Sequence, residues 1–350
     1  MFSARYRTTV DVLPHVAGNR RSAGPSRTAS MLLRRSRRAT PAGRVVVAIS
    51  LLALAPATAH AHVGAAPAPH DIWRAWTLDP VLLAGLALGV LVYARGVRTL
   101  WRRAGHGRGI AAWRTWSFAA GLATLGIALV SPIDAAGSAL FAAHMVQHLL
   151  LVMVAAPLVV LGDPGLATLW ALPLGARRTV AGAWRRARWL RGAWHVLRHP
   201  LVAWPLHVAA LWAWHAPALY ERAVRDQRVH VLEHLCFFTT ALLFWWVLSD
   251  RHARARLGTG GALLYLFTAA LQSTALGAFL TFAAHPWYRV HARSALAWGL
   301  TALDDQQLAG LIMWVPSSLV YLVAVAAVLV PVLSTERAAL GGQERLVAGR

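Results

Sequence analysis

Residues 141–162 read FAAHMVQHLLLVMVAAPLVVLG, an apolar run long enough to cross a bilayer with two histidines in its first turns. His144 and His148 stand four apart, so on a helix their side chains leave one face, one turn above the other. Imidazoles at that spacing can grip one metal ion or line a polar groove. A bilayer penalises such groups unless they are paired or ligating, so the other spans must bring partners to the same depth.

The rest of the chain supports a membrane setting. Of 350 residues, 57% are hydrophobic and 14% charged, and the mean hydropathy is +0.50. A soluble domain carries about a quarter charged residues. The composition therefore predicts an all-α, polytopic membrane protein, and 17 Trp suit the aromatic belts at the two interfaces. The net charge of +22 is no nucleic-acid signal, because the arginines fall in the N-terminal segment and in alternate loops. A single cysteine, Cys236, excludes an intrachain disulfide and a CxxC metal or redox site.

Residues 1–44 are basic and without apolar periodicity, and read as a disordered extension. Residues 45–61 have the layout of a signal-peptide core and cleavage region, with Ala-x-Ala sites ending at Ala59 or Ala61. Residues 62–335 hold seven expected spans: Leu78–Tyr93, Thr115–Val130, His144–Leu161, Leu201–His215, Val231–Leu248, Gly261–Ala283 and Gln307–Leu333. Residues 336–350 are expected to form a cytoplasmic tail. Pro157 and Pro205 predict kinks in the third and fourth spans.

Loop charges set an expected orientation. Loops 94–114, 162–200 and 249–260 are Arg-rich, whereas 131–143, 216–230 and 284–306 are close to neutral. By the positive-inside rule the basic loops and the C-terminus are cytoplasmic and the mature N-terminus is outside. The tract 174–198 interleaves Trp184, Trp189 and Trp194 with arginines and reads as a helix on anionic headgroups.

This orientation sorts the histidines. His144 and His148, His215 in WAWHAPALY, and His230 and His234 in RVHVLEHLCF all fall at the outer side, with Glu233 between the second pair. His285 and His291 follow the sixth span, and Asp304, Asp305, Gln306 and Gln307 open the seventh. His207, inside the fourth span, reads as a packed core histidine. Imidazoles with nearby carboxylates suit copper, zinc, iron or nickel, and the thioethers of Met145, Met153 and Met313 favour Cu(I). The candidate metal site is thus His144, His148, His215, His230, His234, Asp304 and Asp305. Asp304 and Asp305 also suit a helix start. No nucleophile elbow, phosphate-binding glycine loop or paired-carboxylate site is present, so the reading is not an enzyme.

The stretches SPIDAAGSALFAAHMVQHLLLVMVAAPLVVLGDP, WAWHAPALYERA, HVLEHLCFFTTALLFWW and DDQQLAGLIMWVP resemble the CtaG-type assembly factors of bacterial caa-type cytochrome c oxidases, over about residues 70–335. The resemblance implies a multi-pass protein of the respiratory membrane that handles copper for the oxidase. It implies oxidase subunits as partners, with a soluble copper chaperone as a further candidate, and carries the family's histidine and acidic positions onto the residues named above. Two other readings stay open: a haem-binding electron carrier, since histidines from two helices can ligate haem axially, and a metal permease. The second needs polar groups through the cytoplasmic halves of the spans, which are almost purely Leu, Ala and Val.

Overall fold

The computed structural model describes residues 67–348, and every regular element among them is helical. The expected basic extension and signal peptide lie outside the described residues.

After a short 3-10 turn at Ile72–Arg74, the helices are α1 (Pro80–Ala104), α2 (Ala112–Val130), α3 (Pro132–Ala139) and α4 (Phe141–Leu149). A π-helical segment, Leu150–Ala155, leads into α5 (Ala156–Leu161). Then follow α6 (Pro164–Ala171), α7 (Leu174–Arg186), α8 (Arg188–Leu197), α9 (Pro200–Trp214), α10 (Pro217–Arg225), α11 (Gln227–Ser249), α12 (Arg251–Thr281), α13 (Ala292–Ala297) and α14 (Ala302–Ala348). Starts are specified by short polar caps and early prolines. Asp79 accepts from the amides of Val81 and Leu82 ahead of α1, with Pro80 at the first helical position. Asp226 and Asp250 do the same for α11 and α12.

Among the described residues, five helices are long and apolar enough to cross a membrane: Pro80–Ala104, Phe141–Leu161, Gln227–Ser249, His252–Thr281 and Ala302–Val330. The pair α2 and α3 becomes a sixth if its 44° bend at Ser131 is a broken span. The expected fourth span appears as α9, which has only 15 residues. At 1.5 Å per residue that is roughly 22 Å, short of the ~30 Å hydrocarbon core.

The third span runs through Pro157 without a break in the helix. Proline lacks an N–H, so the carbonyl it would have served loses its donor. In the π segment the Ala156 amide donates to Leu151, five residues back, which shifts the loss at Pro157 onto the Val152 carbonyl. The Trp245 indole of α11 donates to that oxygen at 3.0 Å.

α14 packs along α12 and α4, while α11 packs on α5, α9 and α10. Close approach of α12 and α14 depends on facing glycines: a Cβ on Gly310 would stand 2.6 Å from the Gly277 carbonyl oxygen. Inside α12, Gly258 takes φ 65°, a left-handed conformation that suits glycine, and bends the helix. These contacts set the helix that runs from α4 through α5 between α14 and α11, where His144 and His148 are buried.

A candidate metal centre between the third and fifth spans

His144 and His148 project from α4 onto Glu233 and His234 of α11. One donor atom from each of the four lies within 4.8 Å of the others. All four are buried, Glu233 completely. Glu233 Oε2 stands 3.3 Å from His144 Nε2 and 3.8 Å from His148 Nε2. The imidazoles surround it edge to face, with centroids 4.3 Å apart for His144 and His148 and 5.3 Å for His148 and His234. His230 flanks the group, its ring 4.1 Å from His234 and 5.2 Å from His144.

The donor atoms make no hydrogen bonds. Both Glu233 oxygens, His144 Nε2, His234 Nε2 and both His148 ring nitrogens are buried without a hydrogen-bond partner. Each such atom costs about 1–3 kcal/mol if nothing compensates it. Native interiors leave few of them, so six on four touching side chains are unusual. Three imidazoles and a carboxylate form a set that suits copper, zinc, iron or nickel, and the residues fit a metal ion.

The surroundings hold the two helices in register. Leu140 breaks the chain between α3 and α4 in extended backbone, which exposes the first amides of α4. Asp305 of α14 receives them: its Oδ2 accepts from Phe141 N at 2.7 Å and its Oδ1 from Ala142 N at 2.9 Å. One face lower, the Gln147 side-chain amide donates to the Ala128 carbonyl and to Asp134, each at 2.8 Å. Asp134 also accepts from the Thr77 hydroxyl at 2.7 Å.

The other members of the DDQQ run have different partners. Asp304 is exposed and accepts from the Thr301 amide and hydroxyl, capping its own helix. Gln306 accepts from the Trp287 amide at 2.5 Å, and Gln307 donates to the Ala283 carbonyl at 3.3 Å, so both hold the segment after α12.

That segment closes one side of the centre. Tyr288 donates to the His215 carbonyl at 2.7 Å, and Tyr220, fully buried, lies edge-on to His144 at 5.1 Å between centroids. The Tyr220 hydroxyl is 2.8 Å from His291 Nε2, and burial pushes the His291 imidazole down to about 3, so it is neutral. A neutral Nε2 with a free lone pair can accept the Tyr220 O–H hydrogen bond. His215 sits beside His148, ring centroids 6.3 Å apart, and next to Met145.

Of the residues singled out in the sequence, the structure therefore gathers His144, His148 and His234 with ligand atoms in one cluster and sets His230 and His215 against it. Asp304 and Asp305 are engaged in helix capping. Glu233 completes the four. It is the central carboxylate, and its signal lay in the sequence: His230, Glu233 and His234 stand at i, i+3 and i+4, one face of one helix. His207 is buried, as a core histidine would be, 3.3 Å from the Thr240 hydroxyl.

Uncharacterized proteins of Mycobacterium bovis and Mycobacterium tuberculosis are each 27% identical over 292 residues, covering 80% of this chain and 43% of theirs. One from Mycobacterium leprae is 28% identical over 281 residues, 75% of this chain and 40% of its own. The chain thus spans less than half the length of these curated relatives. No solved structure matches. The sequence profile of the cytochrome c oxidase caa3 assembly factors matches residues 91–335, which include all four groups of the centre, and the chain belongs to that family.

Proposed function

We propose that this protein is a plasma-membrane assembly factor that holds copper at His144, His148, Glu233 and His234 and passes it to a subunit of the haem–copper oxidase. The observation that carries the reading is the buried cluster of ligand atoms with no hydrogen bonds, inside the segment that defines the family. Copper is cargo here, held by exchangeable imidazoles rather than by thiolates, and the protein acts without catalytic turnover. His230 stands behind His234 as an alternate ligand, His215 supports the His148 side, and Asp305 orients the helix that carries the first pair. Asp304 would act only through the start of α14.

The loop charges favour a mature N-terminus outside and seven crossings, with α9 as a short fourth span. The cluster then lies in the outer half of the membrane, the side on which an oxidase subunit or a soluble copper chaperone can meet it. A haem would need a porphyrin-wide gap between two imidazoles, whereas four donors within 4.8 Å suit a single ion.

Deleting the gene and assaying the oxidase with and without added copper tests the reading. Loss of activity that excess copper restores is expected. Full activity in the deletion strain, or loss that copper never restores, counts against copper delivery.

A further inference from the structure

A second set of donors lies one helical turn from the His/Glu cluster and differs from it in chemistry. His215 Nδ1 is 2.7 Å from the Leu211 carbonyl oxygen. A carbonyl only accepts, so Nδ1 carries the proton of a neutral ring and Nε2 keeps its lone pair. That lone pair faces Met145 Sδ at 3.3 Å. Two lone-pair donors aimed at each other, both buried, gain little from the contact alone. With bonds of about 2.0 Å to nitrogen and 2.3 Å to sulfur, a 3.3 Å separation subtends about 100° at a shared ion, close to tetrahedral. The Leu211 carbonyl is the kind of second partner that metal-bound histidines use to fix their tautomer. Between this pair and the cluster stands His148, whose two buried ring nitrogens have no hydrogen-bond partner.

We propose that Met145 Sδ and His215 Nε2 form a soft station that takes copper as Cu(I), with His148 as the ligand common to it and the His/Glu cluster. A thioether with imidazole selects a soft monovalent ion, whereas the cluster around Glu233 offers a hard carboxylate and suits a divalent one. The two ends of one centre are then matched to different ions, and copper on the soft station is cuprous. This inference rests on the metal-binding reading above.

The test is X-ray absorption at the copper edge on the full chain, purified in detergent and loaded anaerobically with Cu(I). Wild-type protein is expected to show a metal–sulfur shell, absent from Met145→Leu, a volume-conserving change. The shell should remain in Glu233→Gln, and zinc-loaded wild-type protein should show none. Selenomethionine-labelled wild-type protein gives an independent readout, a copper–selenium shell, should Met145→Leu not fold. Bound Cu(I) with only nitrogen and oxygen neighbours overturns the soft station while leaving the copper reading intact. A sulfur shell that survives Met145→Leu overturns it as well. Protein that binds no copper at all sinks the underlying reading instead.

Discussion

Asp305→Ala removes the only acceptor shown for two buried amides, Phe141 N and Ala142 N, on the helix that carries His144 and His148. Hydrogen bonds to a charged group contribute about 1.5–3 kcal/mol each, and a helix cap alone about 1–2 kcal/mol. Asp305 is 1% exposed, so water cannot readily replace it. A loss of about 3–5 kcal/mol follows from these two bonds, less whatever the start of α4 recovers by fraying. On the scale of a domain of this size that lowers the midpoint of thermal unfolding in detergent by roughly 6–15 °C. Because His144 lies in the first turn of α4, copper affinity should fall about 10–100-fold, the range for residues that orient a ligand. Asp305→Asn keeps one acceptor oxygen and should cost about half as much stability as Asp305→Ala. Thermal unfolding and copper competition on the same samples check both effects. An unchanged midpoint with copper lost would make Asp305 a ligand rather than a cap. A lowered midpoint with full copper affinity would show that the cap does not position the site.

Glu233→Gln preserves shape but removes the only carboxylate among the four clustered groups; zinc affinity should drop at least about tenfold with little change in the unfolding midpoint, measured by chelator competition. Gly310→Ala pushes a methyl against the Gly277 carbonyl and should destabilise by about 1–3 kcal/mol, whereas Gly126→Ala, with nothing within 4 Å, should be neutral or stabilising; melts of the pair show which. The pH dependence of stability follows from His291, neutral in the fold down to about 3 and protonated near 6.5 when unfolded. The unfolded chain therefore binds the extra proton between those values, so this histidine lowers stability as pH falls below about 6.5 and has no effect above it. His291→Gln should flatten the slope of the melting midpoint between pH 4 and 6.5, and an identical slope would refute the assignment.

The fold class was legible because apolar length acts locally, and the two histidine pairs because helical spacing is fixed. Their convergence needed only that both helices enter from one side. Glu233 shares a helix face with His230 and His234, but spacing alone does not mark one carboxylate beside two histidines as the centre of a cluster. The sequence places Asp305 at the start of its own helix and beside the candidate site, and the structure adds that its carboxylate caps a helix whose first residue lies 164 positions earlier. No local pattern encodes such a bond. Pro157 suggested a kink, yet the π turn and the Trp245 indole absorb its missing amide, a compensation that depends on a distant side chain. Met145 and His215 meet through a single side-chain contact between α4 and the residue after α9, which spacing within either segment cannot reveal.

The most direct test of the central claim is the copper content of the purified full chain, measured by mass spectrometry after loading and exhaustive dialysis. Wild-type protein is predicted to retain about one copper ion per chain, and a His148→Ala/His234→Ala double variant with an unaltered helical spectrum almost none. Wild-type protein without copper, or a double variant that holds as much as wild type, would contradict the account.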